Sequence, residues 1–268
     1  FTNQELYSWM VGKISGIYFQ GYQLAYDVAK RAERCYRHEL GLRDSNFIQF
    51  GYWDSLKKGL LSGEQLHHDL KRMDVSYLDQ NKRELELTKG VSLAQLDPYA
   101  LIQLKQSGKC TVNLPETLFD LDYPGHYLRR IKSVSLSIPC ITGPYTSVNC
   151  TLTQLKSSMR HSTSLIGNKY ARDTENDDSR FIDSFGGIQS IATSHAQNDS
   201  GMFELNFRDE RYLHFEGTGA ISTWQLVMPM QFKAFDYATI SDVVLHLKYT
   251  ARDGGGIWAS AVSCHDPT

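Results

Sequence analysis

Asp120 and Asp122 flank Leu121 in the segment LFDLDYPGHY, and two carboxylates on one strand face are what glycosidase acid/base catalysis requires. The Tyr-Pro-Gly that follows supports the preferred reading, a turn whose carboxylates hydrogen-bond their own backbone. His67, His68 and Asp69 are adjacent, but the order is not HExxH and neighbouring residues do not share a helix face, so solvated helix histidines are expected. Asp173, Glu175, Asp177 and Asp178 crowd the stretch KYARDTENDDSR. Clustered carboxylates suit calcium, yet the spacing of a calcium loop is missing and a mobile exposed loop is the expectation. Cys35, Cys110, Cys140, Cys150 and Cys264 form no CxxC pair and read as reduced, small hydrophobes. No GxSxG elbow, Walker loop or GxGxxG turn occurs. The sequence therefore predicts no catalytic residue, no metal and no cofactor. The segment Arg208-Asp209-Glu210-Arg211-Tyr212 has the mixture of Arg, aromatic and carboxylate found at binding hot spots and is named as a partner-binding segment. An internal Arg-carboxylate hairpin network is its competing reading.

The elements that position these residues change character along the chain. The 268 residues have ordinary globular composition, 41% hydrophobic and 22% charged, with 28 Lys+Arg offset by 30 Asp+Glu. That balance argues against a nucleic-acid partner, because phosphate recognition needs a basic surface. No segment approaches the roughly 20 apolar residues of a spanning helix, and the opening FTNQELYSWM has no signal-peptide pattern. Thr2 with Glu5 makes a capping box, and Phe1 can staple onto Leu6. From there Met10, Ile14, Ile17, Gly21, Leu24 and Val28 follow alternating steps of four and three, the seam of a helix packed on another helix. Gly41 is the expected C-cap, which predicts a first helix over Asn3 to Leu40, on the order of 57 Å long. Ser62 with Gln65 predicts a second helix start. Its seam of Leu66, Leu70, Met73 and Tyr77 becomes polar at Gln80 and Glu84 before Leu87, either a solvated end or a face turned to an assembly.

After Leu96 the period shifts to two. Val134, Leu136 and Ile138 alternate with serines, and similar runs occur at Val148–Leu152, Phe203–Phe207, Trp224–Met228 and Val243–Tyr249. Half-buried strands separated by Gly, Pro, Asn and Asp turns favour an antiparallel sandwich. The tail after Gly254 is expected to be loosely held. The predicted class is α+β: a long N-terminal helical hairpin over residues 1–96, then an antiparallel β-sandwich over 97–268.

The segments ELTKGVSLAQLDPYALIQLKQSGKC, LPETLFDLDYPGHYLRRIKSVSLSIPCITGPYTSVNCTLTQL, QNDSGMFELNFRDERYLHFEGTGAISTWQL and FDYATISDVVLHLKYTARDGG resemble the C-terminal, TcB-binding region of TcA subunits of bacterial Tc toxin complexes. The resemblance implies a C-terminal piece of a much larger protein that forms a homopentamer around a translocation channel and docks the β-propeller of a TcB-TcC cocoon. It implies no enzyme activity for this piece, a released toxin complex acting typically on insect cells, and membrane contact only through the full-length channel. Residues 1–96 would then resemble the end of the channel region and 97–268 the docking platform. The alternative from the residues alone is a carbohydrate-binding or glycosidase-like sandwich using Trp224, Tyr212 or the Asp120/Asp122 pair.

Overall fold

The computed structural model describes residues 2–143, 146–166, 169–173, 176–194, 202–204, 214–231 and 233–263, and for 189–194, 202–204 and 257 only the backbone path. The chain separates into two compact units, Phe1–Lys82 and Arg83–Thr268.

In the first unit, helix α1 spans Asn3–Leu40 and helix α2 spans Ser62–Gln80. The capping box predicted for α1 is present: Glu5 N donates to Thr2 Oγ1 at 3.3 Å and Thr2 N donates to Glu5 Oε2 at 2.8 Å. Gly41 ends the helix at φ 68°, a left-handed conformation that costs glycine least. The start of α2 differs from expectation. Leu61 sits at its N-cap position with no side-chain cap bond. The hydroxyl of Ser62 is drawn instead to Gly59 O, at 2.7 Å.

The two helices run in the same direction rather than as a hairpin. Tyr18 Oη accepts from Gly63 N at 3.2 Å near the start of α2, Ala29 clusters with Leu66, and Tyr36 Oη lies 2.9 Å from Ser76 Oγ near its end. Residues 42–61 make this possible by travelling back along α1. Glu33 Oε1 accepts from Phe47 N at 2.6 Å and Ile48 N at 3.3 Å, and further on the Trp53 ring lies 4.8 Å from that of Phe19. Glu33 is held below the ordinary carboxylate range because Lys30 and these two amides outweigh the effect of its burial. The covered face of α1 is thus Tyr22, Tyr26, Ala29, Glu33, Tyr36 and Leu40. The seam read from the sequence, Met10 to Val28, lies on another face and is exposed.

The second unit is a two-sheet sandwich. Its elements are β1 (Leu85–Ser92), α3 (Leu93–Leu96), α4 (Pro98–Ser107), β2 (Lys109–Leu114), α5 (Glu116–Asp120), β3 (His126–Ser137), β4 (Val148–Arg160), β5 (Phe181–Ser194), β6 (Met202–Glu204), β7 (Ile221–Val227), β8 (Val244–Asp253) and α6 (Gly256–Ser263). One sheet has the order β1-β8-β3-β6 and the other β2-β7-β4-β5, with every described pairing antiparallel. Inward residues of both sheets share one core, from Val134, Leu136, Leu245 and Leu247 on the first to Val112, Leu152, Trp224 and Leu226 on the second. This is the α+β sandwich the alternation predicts.

Residues 83–96, read with the helices in the sequence, pack in this unit. Leu85–Ser92 pairs along β8, with Leu87 opposite Tyr249. Glu84 is not on α2 at all: its Oε1 accepts from Arg130 Nη2 at 2.7 Å and Arg252 Nε at 3.1 Å. The polar seam thus ends at Gln80 because the helix ends there. The tail from Gly254 is also more ordered than expected through Ser263, since α6 sets Trp258 against Tyr170, 5.4 Å between rings. No helix among the described residues is long and apolar enough to cross a membrane.

Candidate partner-binding site

Arg208, Asp209, Glu210, Arg211 and Tyr212 lie outside the described residues. The other residues singled out by the sequence are held apart. Asp120, at the end of α5, accepts from Arg129 Nη2 at 2.6 Å and from the hydroxyl of Tyr170. Asp122 accepts from Lys89 Nζ at 2.5 Å. Burial pushes the Asp120 carboxyl above its ordinary value, against the pull of Arg129. Each carboxylate is therefore engaged with its own cation, and the pair does not face a shared space as acid and base must. Trp224 is wholly buried, with its indole N–H donating to Ser222 Oγ at 2.7 Å and its ring in a T-shaped contact with Phe215, 4.9 Å between centroids. It offers no sugar platform.

In the acidic stretch, Arg180 Nη2 donates to Asp178 Oδ2 at 2.6 Å, and Asn176 Nδ2 donates to Asp173 Oδ2 at 3.0 Å. Asp178 is buried, so the segment expected to be a mobile loop is anchored from within. Among the described residues no group of three or more His, Cys, Asp and Glu could hold a metal ion. His68 Nδ1 lies 3.8 Å from Asp69 Oδ1, and Asp69 is shared by Arg72, at 2.9 Å, and Tyr52. Burial and this carboxylate push the Tyr52 phenol up to about 12. Cys35, Cys110, Cys140 and Cys150 are free thiols. Burial raises the Cys110 thiol to about 11, which leaves it protonated and unreactive near neutral pH.

Two features were not found in the sequence. The first is the ionic network at one end of the sandwich. Arg160, fully buried, donates to both oxygens of Glu116 and lies over the rings of Tyr170 and Phe181, 4.5 and 4.4 Å from their centroids. Its arginines and carboxylates are scattered from Glu116 to Arg180, so no local motif announces it.

The second is an apolar surface at the opposite end. Tyr99 and Ile102, one turn apart on α4, are exposed, as are Ile141 and Met230. Ile141 N donates to Thr239 Oγ1 at 3.3 Å, from a 3-10 turn packed on α4. Met230 closes the C-terminal end of α4: a Cβ at Gly108, which has φ +70°, would stand 2.5 Å from Met230 Cγ. Gathered exposed apolar residues mark an interaction surface more often than single ones do. Sequence could not distinguish this face of α4 from its inner one, because Ala100, Leu101 and Leu104, which are buried, are apolar too.

Comparison with known proteins matches both units. Residues 1–251 match the family described as the Tc toxin complex TcA C-terminal TcB-binding domain. The chain is 39% identical over 268 residues to toxin subunit YenA2 of Yersinia entomophaga, covering 98% of this chain and 20% of that protein. Among solved structures, it is similar to Yersinia pseudotuberculosis TcaA-TcaB, with 27% identity and a TM-score of 0.63 over 94% of this chain and 14% of that one. It is also similar to Morganella morganii TcdA4, with 25% identity and a TM-score of 0.61 over 94% of this chain and 11% of that one. The chain thus spans about a fifth or less of the length of these relatives.

Proposed function

The chain belongs to the Tc toxin complex TcA C-terminal TcB-binding domain family, and from that premise we propose that it docks the β-propeller of a TcB-TcC cocoon so that a toxic enzyme enters the translocation channel. The sandwich, residues 83–268, is the docking platform. The helical unit, residues 1–82, belongs to the end of the channel region, where copies of the chain assemble as a homopentamer in a released toxin complex. The role is binding and positioning rather than catalysis.

The observation that carries this reading is the length of the match, which runs through the helices and the sandwich together. The exposed group Tyr99, Ile102, Ile141 and Met230 supports it, since an interface core is built from aromatic and aliphatic anchors and Met. Arg208 to Tyr212, named from the sequence, form a second group that contacts TcB. No observation favours the glycan-binding alternative, because Trp224 is buried and Asp120 and Asp122 are each in an ion pair. Titrating the purified chain with a TcB-TcC cocoon tests the reading: saturable binding is expected, and a folded chain that shows none overturns it.

A further inference from the structure

The apolar group at the α4 end has lysines beside it. Tyr99 is 75% and Ile141 76% exposed, and Ile102 and Met230 complete the group. Lys105 stands one turn beyond Ile102 on α4. Lys109, exposed at the start of β2, directly follows Gly108, over which Met230 lies. Lys233, also exposed, comes three residues after Met230, and its ammonium is 5.2 Å from the ring centroid of Tyr237. That ring belongs to the turn packed on α4, whose Thr239 Oγ1 accepts from Ile141 N. Among the described residues the lysines in ion pairs are Lys30, Lys57, Lys71, Lys89 and Lys132, and Lys105, Lys109 and Lys233 are in none. The nearby carboxylates are turned to backbone amides instead. Asp97 Oδ1 accepts from Ala100 N at 3.1 Å, Asp236 Oδ1 from Ala238 N at 3.0 Å and Asp242 Oδ1 from Ala94 N at 2.9 Å, each serving N–H groups that a helix or turn leaves open at its start.

We propose that the α4 end docks on a surface of TcB with an apolar centre and a carboxylate rim, where Lys105, Lys109 and Lys233 face Asp or Glu side chains of that partner. The inference rests on the docking reading above and adds the chemistry of the partner's side. A stable interface keeps charge out of its core and places it at the rim, where water still reaches it. Lysine suits that position, because its stem lies along apolar surface while the ammonium stays hydrated. Exposed rim charges act mainly on encounter: they speed association at low salt and suppress wrong partners, while the apolar centre sets how long the complex lasts. The sign of the salt effect separates this local pairing from the charge of the whole chain. The chain is formally −2, so its net charge repels an acidic partner and salt would relieve that repulsion. Lysines facing carboxylates give the opposite result, slower association as salt rises.

The test is the binding kinetics of the 268-residue chain on an immobilised TcB-TcC cocoon at about 50 mM and about 500 mM salt, between which the screening length falls about threefold. Wild-type association is expected to slow on the order of tenfold at the higher salt. Lys109→Glu with Lys233→Glu, both at exposed positions, is expected to slow association on the order of tenfold at low salt and to change dissociation by less than about threefold. Ile102→Ala should do the reverse, raising dissociation with little effect on association. Lys248→Glu, on β8 of the other sheet, makes the same kind of charge change away from the α4 end and should associate faster than the lysine pair variant. Circular dichroism and the thermal midpoint check that each variant folds. Wild-type binding that is indifferent to salt or quickened by it, or equal slowing by Lys248→Glu, would overturn the inference and leave TcB docking intact. A wild-type chain heavier than one chain mass that the lysine pair variant returns to one would give the face to a second copy and overturn it as well. A folded wild-type chain that does not bind at either salt would overturn the docking reading and the inference together.

Discussion

Arg160 holds Glu116 with two nitrogens, Nε and Nη2, each 2.8 Å from a different carboxylate oxygen. The contact ties the last residue of β4 to the first of α5, and the side chains are almost entirely out of water. Replacing one partner leaves the other charge buried without compensation, which costs about 3–5 kcal/mol. Glu116→Ala is therefore expected to lose stability of that order in urea unfolding. A loss under about 1 kcal/mol, the range of surface pairs, would contradict this account of the network.

Acid should loosen the segment before β5. The hydrogen bonds from Arg180 hold the Asp178 carboxyl well below its ordinary value. A group with a depressed folded pKa stabilises the fold above its unfolded value, about 3.9 for Asp, and that contribution disappears as pH falls toward the folded value. Asp120 runs the other way: burial raises it, so its penalty lifts on protonation. Asp178→Asn should lower stability near neutral pH by on the order of 3 kcal/mol and flatten the loss below about pH 4. Unfolding free energy measured against pH would decide this, and an unchanged acid slope in the variant would count against the assignment.

Gly219 is expected to tolerate no side chain. A Cβ there would stand 2.1 Å from Ser158 O and 2.4 Å from Ser158 C, both backbone atoms of β4 that cannot swing away. Gly219→Ala should destabilise the sandwich by more than about 2 kcal/mol, through strain in a packed region. Thermal unfolding gives the answer, and a midpoint within a degree of wild type would refute it.

Much of the fold was legible because its signals are local. Thr2 and Glu5 sit three residues apart at a helix start, Gly41 ends the helix, and Val134, Leu136 and Ile138 alternate with the period of a strand. What the sequence hid depends on contacts far apart in the chain. Helix direction was one such case: Gly41 and Pro-free helices suit a hairpin, but Glu33 captures the amides of Phe47 and Ile48 and turns the connection back along α1. Another was Leu85–Ser92, whose pattern continued the helical seam until β8 provided a partner far along the chain, Leu87 facing Tyr249. The candidate site divides the same way. Arg208 to Tyr212 stand out by composition, whereas the segment with Ile141 is linked to α4 only through the turn at Tyr237–Thr239, which bonds Ile141 and packs on that helix.

Arg211→Ala with Tyr212→Ala tests the segment Arg208 to Tyr212. If these side chains contact TcB, the double variant should bind on the order of tenfold more weakly, and its dissociation rate should rise more than its association rate falls. Unchanged dissociation kinetics at full helix and sheet content would favour the internal hairpin network instead.

The most direct measurement is the affinity of this chain for a TcB-TcC cocoon, taken side by side with Ile141→Asp. Docking through the α4 end predicts saturable binding by the wild-type chain and a loss of at least about tenfold in the variant, the effect of burying an unpaired charge in an interface core. Absence of binding by a folded wild-type chain would contradict the TcB-docking function. Equal affinity for both chains would contradict the α4 end as the docking surface.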